Sequence, residues 1–207
     1  MITLRRFKML EEELLQAGYA PTVEWSEHIM APSDAEDFAE RAIYVICNSG
    51  MRFSVARPIF ERCMVALRQG HSASAAFQHP GKAPAIDSIW RRRGQYFDEY
   101  RCAIAKVDFL ESLPWIGPVT KHHLAKNLGF DTAKPDVHLT RLARRDCTTV
   151  QSLCRRLARV TGYKVATVDS ILWRACADGI LNSKRYEHEG WKAAFVPRPR
   201  ARLISGM

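Results

Sequence analysis

The 207-residue chain is 47% apolar and 26% charged and carries a formal net charge of +9, which fits one good-sized globular domain with or without small extensions. No apolar run reaches the length of a bilayer crossing, and Met1 to Lys8 lacks the apolar core of a secretory signal. A membrane partner is therefore set aside, and the expected location is cytoplasmic.

In chain order, residues 4–17 read as a helix with Phe7, Leu10, Leu14 and Leu15 near one face, stopped by Gly18. Residues 11–13, all glutamate, read as its solvated side. Residues 19–32 read as irregular, with Trp25 and His28 inside. Ser33-Asp-Ala-Glu36 reads as a capping box with Ser33 as the acceptor. It opens a central helix through Phe38, Ala42, Ile43, Val45, Ile46 and Cys47, which ends at Asn48-Ser-Gly50. Residues 51–67 resume the helical period, with Pro58 close to the start and Gly70 at the close. A short helix over 72–77, a loop at His79-Pro-Gly-Lys-Ala-Pro84 and a short helix from Ile86 through Trp90 follow. Arg91, Arg92 and Arg93 crowd the end of that last helix, where cations suit the dipole.

Residues 96–112 read as one long helix striped by Phe97, Tyr100, Ile104, Val107 and Leu110. Two more helices are expected over 150–160 and 164–177, parted at Thr161-Gly162. Residues 180–207, basic and broken by Pro197 and Pro199, are expected to fold over the body or stay partly loose. No period-two alternation outcompetes these patterns. The expectation is all-α, about ten helices, with an extension at 1–33, a main domain at 34–180 and a basic extension at 181–207.

Charge is unevenly spread. Residues 1–40 hold three basic and nine acidic side chains, whereas 41–207 hold 28 basic and 13 acidic. A basic body with an acidic front suits a polyanion, because lysine and arginine release counterions from phosphate. The six cysteines form no CxxC pair and fit reduced, mostly buried thiols. Cys147 and Cys154 have the first spacing of an iron–sulfur loop, but Leu157 takes the next ligand position, so no cluster and no other metal or cofactor is expected.

The stretch with most chemistry is Leu113-Pro-Trp-Ile-Gly-Pro-Val-Thr-Lys121, followed by Ala133-Lys-Pro-Asp-Val-His-Leu-Thr-Arg141. Pro114 and Gly117 mark a tight turn between helices. Amides from Gly117 onward open the next helix and, with the dipole, suit a phosphate. Asp136 follows a proline at another helix start. By itself that is an ordinary N-cap. Beside a phosphate grip it suggests chemistry on nucleic acid.

These residues, with Asn127-Leu-Gly129 between them, resemble the helix-hairpin-helix DNA glycosylase superfamily, the group of endonuclease III and the 8-oxoguanine glycosylases. The match is strongest over 113–142 and extends as a pattern of helices over about 37–180. It implies a two-lobed helical fold, a hairpin that grips backbone phosphate, and a catalytic aspartate about twenty residues on; Gly117 to Asp136 is nineteen. Asp136 would stabilise positive charge on the deoxyribose, or activate water, as the N-glycosidic bond breaks. The implied partner is double-stranded DNA with a damaged or modified base, bound by a monomer. Relatives act in repair and, in defence settings, on hypermodified bases of phage DNA.

Two positions depart from the family pattern. Bifunctional relatives carry a lysine two residues after the second hairpin glycine, as an amine nucleophile; here that residue is Val119. Lys121 lies about 200° further round the helix and is expected to touch phosphate. The resemblance thus implies a monofunctional glycosylase leaving an abasic site, the alternatives being a non-catalytic binding module or a glycosylase/lyase. Trp115 stands where the family has the first hairpin glycine, and so bulky a residue is expected to avoid positive φ.

Gly117, Val119, Thr120, Lys121, His138 and Arg141 are the candidate phosphate contacts, joined by Arg144, Arg145 and Lys164. His138 reads as a helix-start or phosphate-contact histidine rather than a general base. Base flipping needs a residue to fill the gap; by resemblance it comes from the 48–52 turn, with Asn48, Met51 and Arg52 as candidates. Trp25, Trp90 and Tyr100, with Tyr96 and Trp173, are candidate walls of a base pocket.

Overall fold

The computed structural model describes residues 1–197. Among them the chain is all-helical and holds no strand. The helices are α1 (Leu4–Gln16), α2 (Ala20–His28), α3 (Ala35–Asn48), α4 (Phe53–Arg68), α5 (Lys82–Arg91), α6 (Arg93–Cys102), α7 (Lys106–Leu110), α8 (Thr120–Asn127), α9 (Val137–Arg145), α10 (Val150–Thr161), α11 (Val165–Ala177), α12 (Ser183–Glu189) and α13 (Trp191–Ala194). They form two compact units. Among the described residues, one joins Met1–His28 to residues 135–197, and the other is Ile29–Lys134. The N-terminal 28 residues and the C-terminal segment therefore share one body, rather than flanking a central domain.

In the discontinuous unit, α11 is the hub. Val165, Val168, Ile171, Leu172 and Ala175 are buried along it, and α1, α2, α9 and α10 pack against it. The 20–28 stretch is helical, contrary to the irregular reading. Its Ser26 hydroxyl donates to the Val23 carbonyl and bonds Thr167 Oγ1 at 3.1 Å inside the core. Tertiary packing thus holds a helix whose apolar period is weak. Glu11, expected in solvent, is buried, ion-paired with Lys8 at 2.6 Å. Its hydrogen bond to Tyr163 is the main cause that pushes the Tyr163 hydroxyl up to about 12.

Asp146 ties the same unit together. Its carboxylate is almost fully buried and accepts from the Ile2 amide at 2.8 Å, the Tyr186 hydroxyl at 2.7 Å and the Arg156 guanidinium at 3.1 Å. Four stretches of chain meet on one acid. The C-terminal segment folds over this body as far as Val196, whose amide donates to the Ile180 carbonyl. Pro199 lies outside the described residues.

In the continuous unit, α3 is central, with α4, α5, α6 and α8 packed around it. Its cap is Asp34, not Ser33: the Asp34 carboxylate accepts from the Glu36 and Asp37 amides at 2.9 Å. Asp37 accepts from the Ser33 amide, so the cap sits one residue later than the sequence pattern placed it and its return bond goes to the residue before the cap. Pro58 lies well inside α4 rather than near its start. A single 3-10 turn at Ala73–Ala75 replaces the short helix read over 72–77, and α5 begins already at Lys82, within the expected loop.

The long helix read over 96–112 is broken. Ala103 is extended, and the Lys106 ammonium bonds the carbonyls of Tyr100 and Arg101 at 2.8 Å. A lysine thus satisfies two carbonyls that a continuing helix would have used. This break, with α2 and the short C-terminal helices, raises the number above the ten expected. Tyr100 is a core residue of this unit, its ring 5.0 Å from that of Phe38.

Candidate nucleic-acid interface

The turn between α7 and α8, read from sequence as the hairpin, belongs to the continuous unit and is anchored by the buried side chains of Leu113 and Ile116. The Ile116 amide donates to the Leu113 carbonyl at 3.1 Å. With Pro114 second and a left-handed residue third, this is the pattern of a type II turn, whose third position favours glycine. Trp115 occupies it with φ +66°. The expectation that Trp115 avoids positive φ is overturned.

Left-handed backbone at a residue with a Cβ costs about 1–2 kcal/mol, and Trp115 carries local contacts that offset it. Its indole N–H donates to Ser49 Oγ at 3.2 Å. The His79 ring meets it edge-on at 5.5 Å. Its six-membered ring covers Gly81, where any Cβ would collide with it. Lys82, buried beside that glycine, donates to the Ser49 carbonyl at 2.6 Å and the Cys47 carbonyl at 3.2 Å. Three loops, 48–52, 79–82 and 113–119, are thereby lashed together. From sequence, 79–84 reads as a plain loop, and Ser49, His79, Gly81 and Lys82 carry no expected role. The available signal was a bulky residue at a glycine position paired with a glycine in a nearby loop.

Beyond the turn, the Gly117 amide donates to Thr120 Oγ1 at 3.1 Å, so both groups are already engaged. The first helical bond of α8 runs from the Lys121 amide to the Gly117 carbonyl. The Val119 and Thr120 amides precede it and are the donors that such a helix start offers an anion. Val119 is exposed. The Lys121 ammonium is held by Glu111 at 2.8 Å and Asp108 at 3.0 Å. Those two hydrogen bonds, that of Glu111 first, raise its pKa above the ordinary value. It is a tethered, protonated amine rather than an outward phosphate contact.

In the 48–52 turn, Asn48 donates to the Tyr44 carbonyl at 2.8 Å, Met51 packs against the core, and Arg52 is exposed. On α8, His123 meets Tyr44 edge-on. Desolvation, then the charges of Lys134 and Lys126, hold its pKa well below 6.5, so it is neutral.

Asp136 lies in the other unit, as the N-cap of α9. Its Oδ1 accepts from the His138 and Leu139 amides, both at 2.9 Å. Since both cap bonds fall on Oδ1, Oδ2 is left for other work. Burial, and next the Asp136 charge, push the neighbouring Cys176 thiol up to about 12. His138 Nδ1 pairs with Ser183 Oγ at 2.9 Å. Arg141 is half-buried and faces Glu187 at 3.7 Å, whereas Arg144 is largely exposed. Arg145 reaches the Glu187 and His188 carbonyls, and Lys164 bonds the Glu27 carbonyl.

The candidate pocket aromatics are divided between the two units, Trp25 and Trp173 in the discontinuous one and Trp90, Tyr96 and Tyr100 in the continuous one. Trp25 is exposed on α2 and Trp173 sits on α11 beneath the Arg174 guanidinium. Trp90 stacks with Arg93, Tyr96 accepts from Arg92, and Tyr100 is core. No protein-family model, curated protein or solved structure matches the chain.

Proposed function

We propose that the protein is a monofunctional DNA glycosylase. It hydrolyses the N-glycosidic bond of a damaged or modified base: water adds to the anomeric carbon, the base leaves with a proton, and an abasic site remains. The observation that carries this reading is Asp136. It stands in a Lys-Pro-Asp-Val-His setting nineteen residues after Gly117, its Oδ1 committed to the cap and its Oδ2 not. A carboxylate fixed by two amides is oriented without side-chain entropy to lose at the transition state, which suits it to an oxocarbenium-like charge. A module that merely bound DNA would gain nothing from a carboxylate, which repels phosphate.

Val119, and the tethering of Lys121 by Glu111 and Asp108, support hydrolysis without strand cleavage, because a protonated amine is no nucleophile. Unpaired amides at Val119 and Thr120 support phosphate binding by the hairpin. The direct test uses duplex DNA carrying the released base. Asp136→Asn should bind it as tightly as the wild-type chain or more so and release no base, while full release by that variant would end the assignment.

A further inference from the structure

We propose that the exposed face of Trp115 is a stacking platform for a nucleobase of bound DNA, at a point where stacking in the duplex is interrupted. The inference rests on the DNA-binding reading above and deepens it. Trp115 keeps 46% of its surface exposed in a backbone conformation that glycine would adopt without strain. Strain retained at a non-glycine residue, with surrounding contacts that hold it, points to use of the side chain. Gly81 lies against the rim of the six-membered ring, the His79 ring meets the indole at a steep angle, and Ser49 holds the indole N–H. The ring is thus fixed in orientation before any ligand arrives, which lowers the entropy lost on stacking.

Its position favours a base as the occupant. The indole joins the hairpin, whose Val119 and Thr120 amides suit a phosphate, to the 48–52 turn, which carries the exposed cation Arg52. An exposed aromatic ring on a turn that suits phosphate, joined to a turn that carries a cation, is the composition of a single-strand or unstacked-base site, and it tolerates any base because every base has a π-face. Lys82, which holds the Ser49 and Cys47 carbonyls from below, keeps the turn in register with the platform.

The experiment uses the full chain and duplexes carrying a stable abasic-site analogue. The fluorescent base aminopurine is placed opposite the analogue or beside it, in separate duplexes. The wild-type chain should quench aminopurine in at least one duplex. Trp115→Phe should keep the quenching, whereas Trp115→Gly and Trp115→Leu should lose it and bind about fivefold more weakly or worse, the loss of one stacked base. Glycine suits the backbone and leucine preserves the apolar bulk, so failure of one variant to fold leaves the other decisive. Quenching and affinity unchanged in both would overturn the platform and leave the glycosylase reading standing. A wild-type chain that binds none of the duplexes would overturn both.

Discussion

Substitution at Asp136 separates a structural role from a chemical one, because asparagine and alanine remove different things. Asp136 Oδ1 accepts two backbone N–H groups at 2.9 Å at the start of α9. Alanine removes both acceptors, and losing an N-cap costs about 1 kcal/mol, with a range of about 0.5–2. For a chain of this length that lowers the melting temperature by about 2–4 °C. Asparagine keeps an oxygen in the same place and loses only the charge–dipole contribution, about 0.3–1 kcal/mol near a helix N-terminus. Asp136→Asn should therefore melt nearer the wild-type chain than Asp136→Ala does. Base release should behave otherwise: both variants should lose on the order of a hundredfold or more, the scale of removing one electrostatic stabiliser of a transition state. Thermal melts followed by circular dichroism, paired with release assays well below the melting range, read the two effects separately. An Asp136→Asn variant that keeps its activity while Asp136→Ala loses it would show that Asp136 is a cap and nothing more.

Other expectations follow from the same contacts. His123 has a folded pKa well below its unfolded value, so its contribution to stability is present above about pH 6.5 and is lost as pH falls through the folded pKa. Melting temperature between pH 7.5 and 5 should thus fall further for the wild-type chain than for His123→Gln; parallel curves would contradict this. Asp146→Ala leaves Tyr186, Arg156 and the Ile2 amide without their shared acceptor and should cost about 3 kcal/mol or more. A denaturant midpoint near that of the wild-type chain would refute that. Borohydride should trap no covalent complex between the wild-type chain and abasic-site DNA, since Lys121 is held protonated by Glu111 and Asp108; efficient trapping would restore a lyase step. Affinity for DNA should fall steeply as salt rises, and a flat response would remove phosphate as the partner.

Helices with a long apolar stripe were legible from residue spacing alone. α1, α3, α10 and α11 lie within a residue or two of where the stripe put them, because burial of one face is what holds a helix in water. Several misreadings trace to polar side-chain contacts that the apolar period does not report. No glycine or proline marks the break at Ala103; Lys106 makes it by reaching back to two carbonyls. Ser26 meets Thr167 across 141 residues of sequence, and no local pattern reports that. Glu11 read as solvent-facing because its partner Tyr163 is also far away in the chain.

The candidate site was legible only where it is local. Asp136 and the hairpin turn each lie within a short run of sequence. The strain at Trp115 was not, since its compensation comes from Ser49, His79 and Gly81 on other loops. Tyr100 shows the converse: an aromatic at helical spacing reads equally as pocket wall or core, and packing against Phe38 makes it core.

The central claim is that the chain releases a base from DNA by hydrolysis. Incubating it with genomic DNAs that carry different base modifications, and weighing the released small molecules by mass spectrometry, tests it without presuming the substrate. The account predicts one class of free base from one or more of these DNAs, strands left unbroken at the abasic sites, and no release by Asp136→Asn. Released nucleosides or nucleotides in place of free bases, or equal release by the variant, would contradict it.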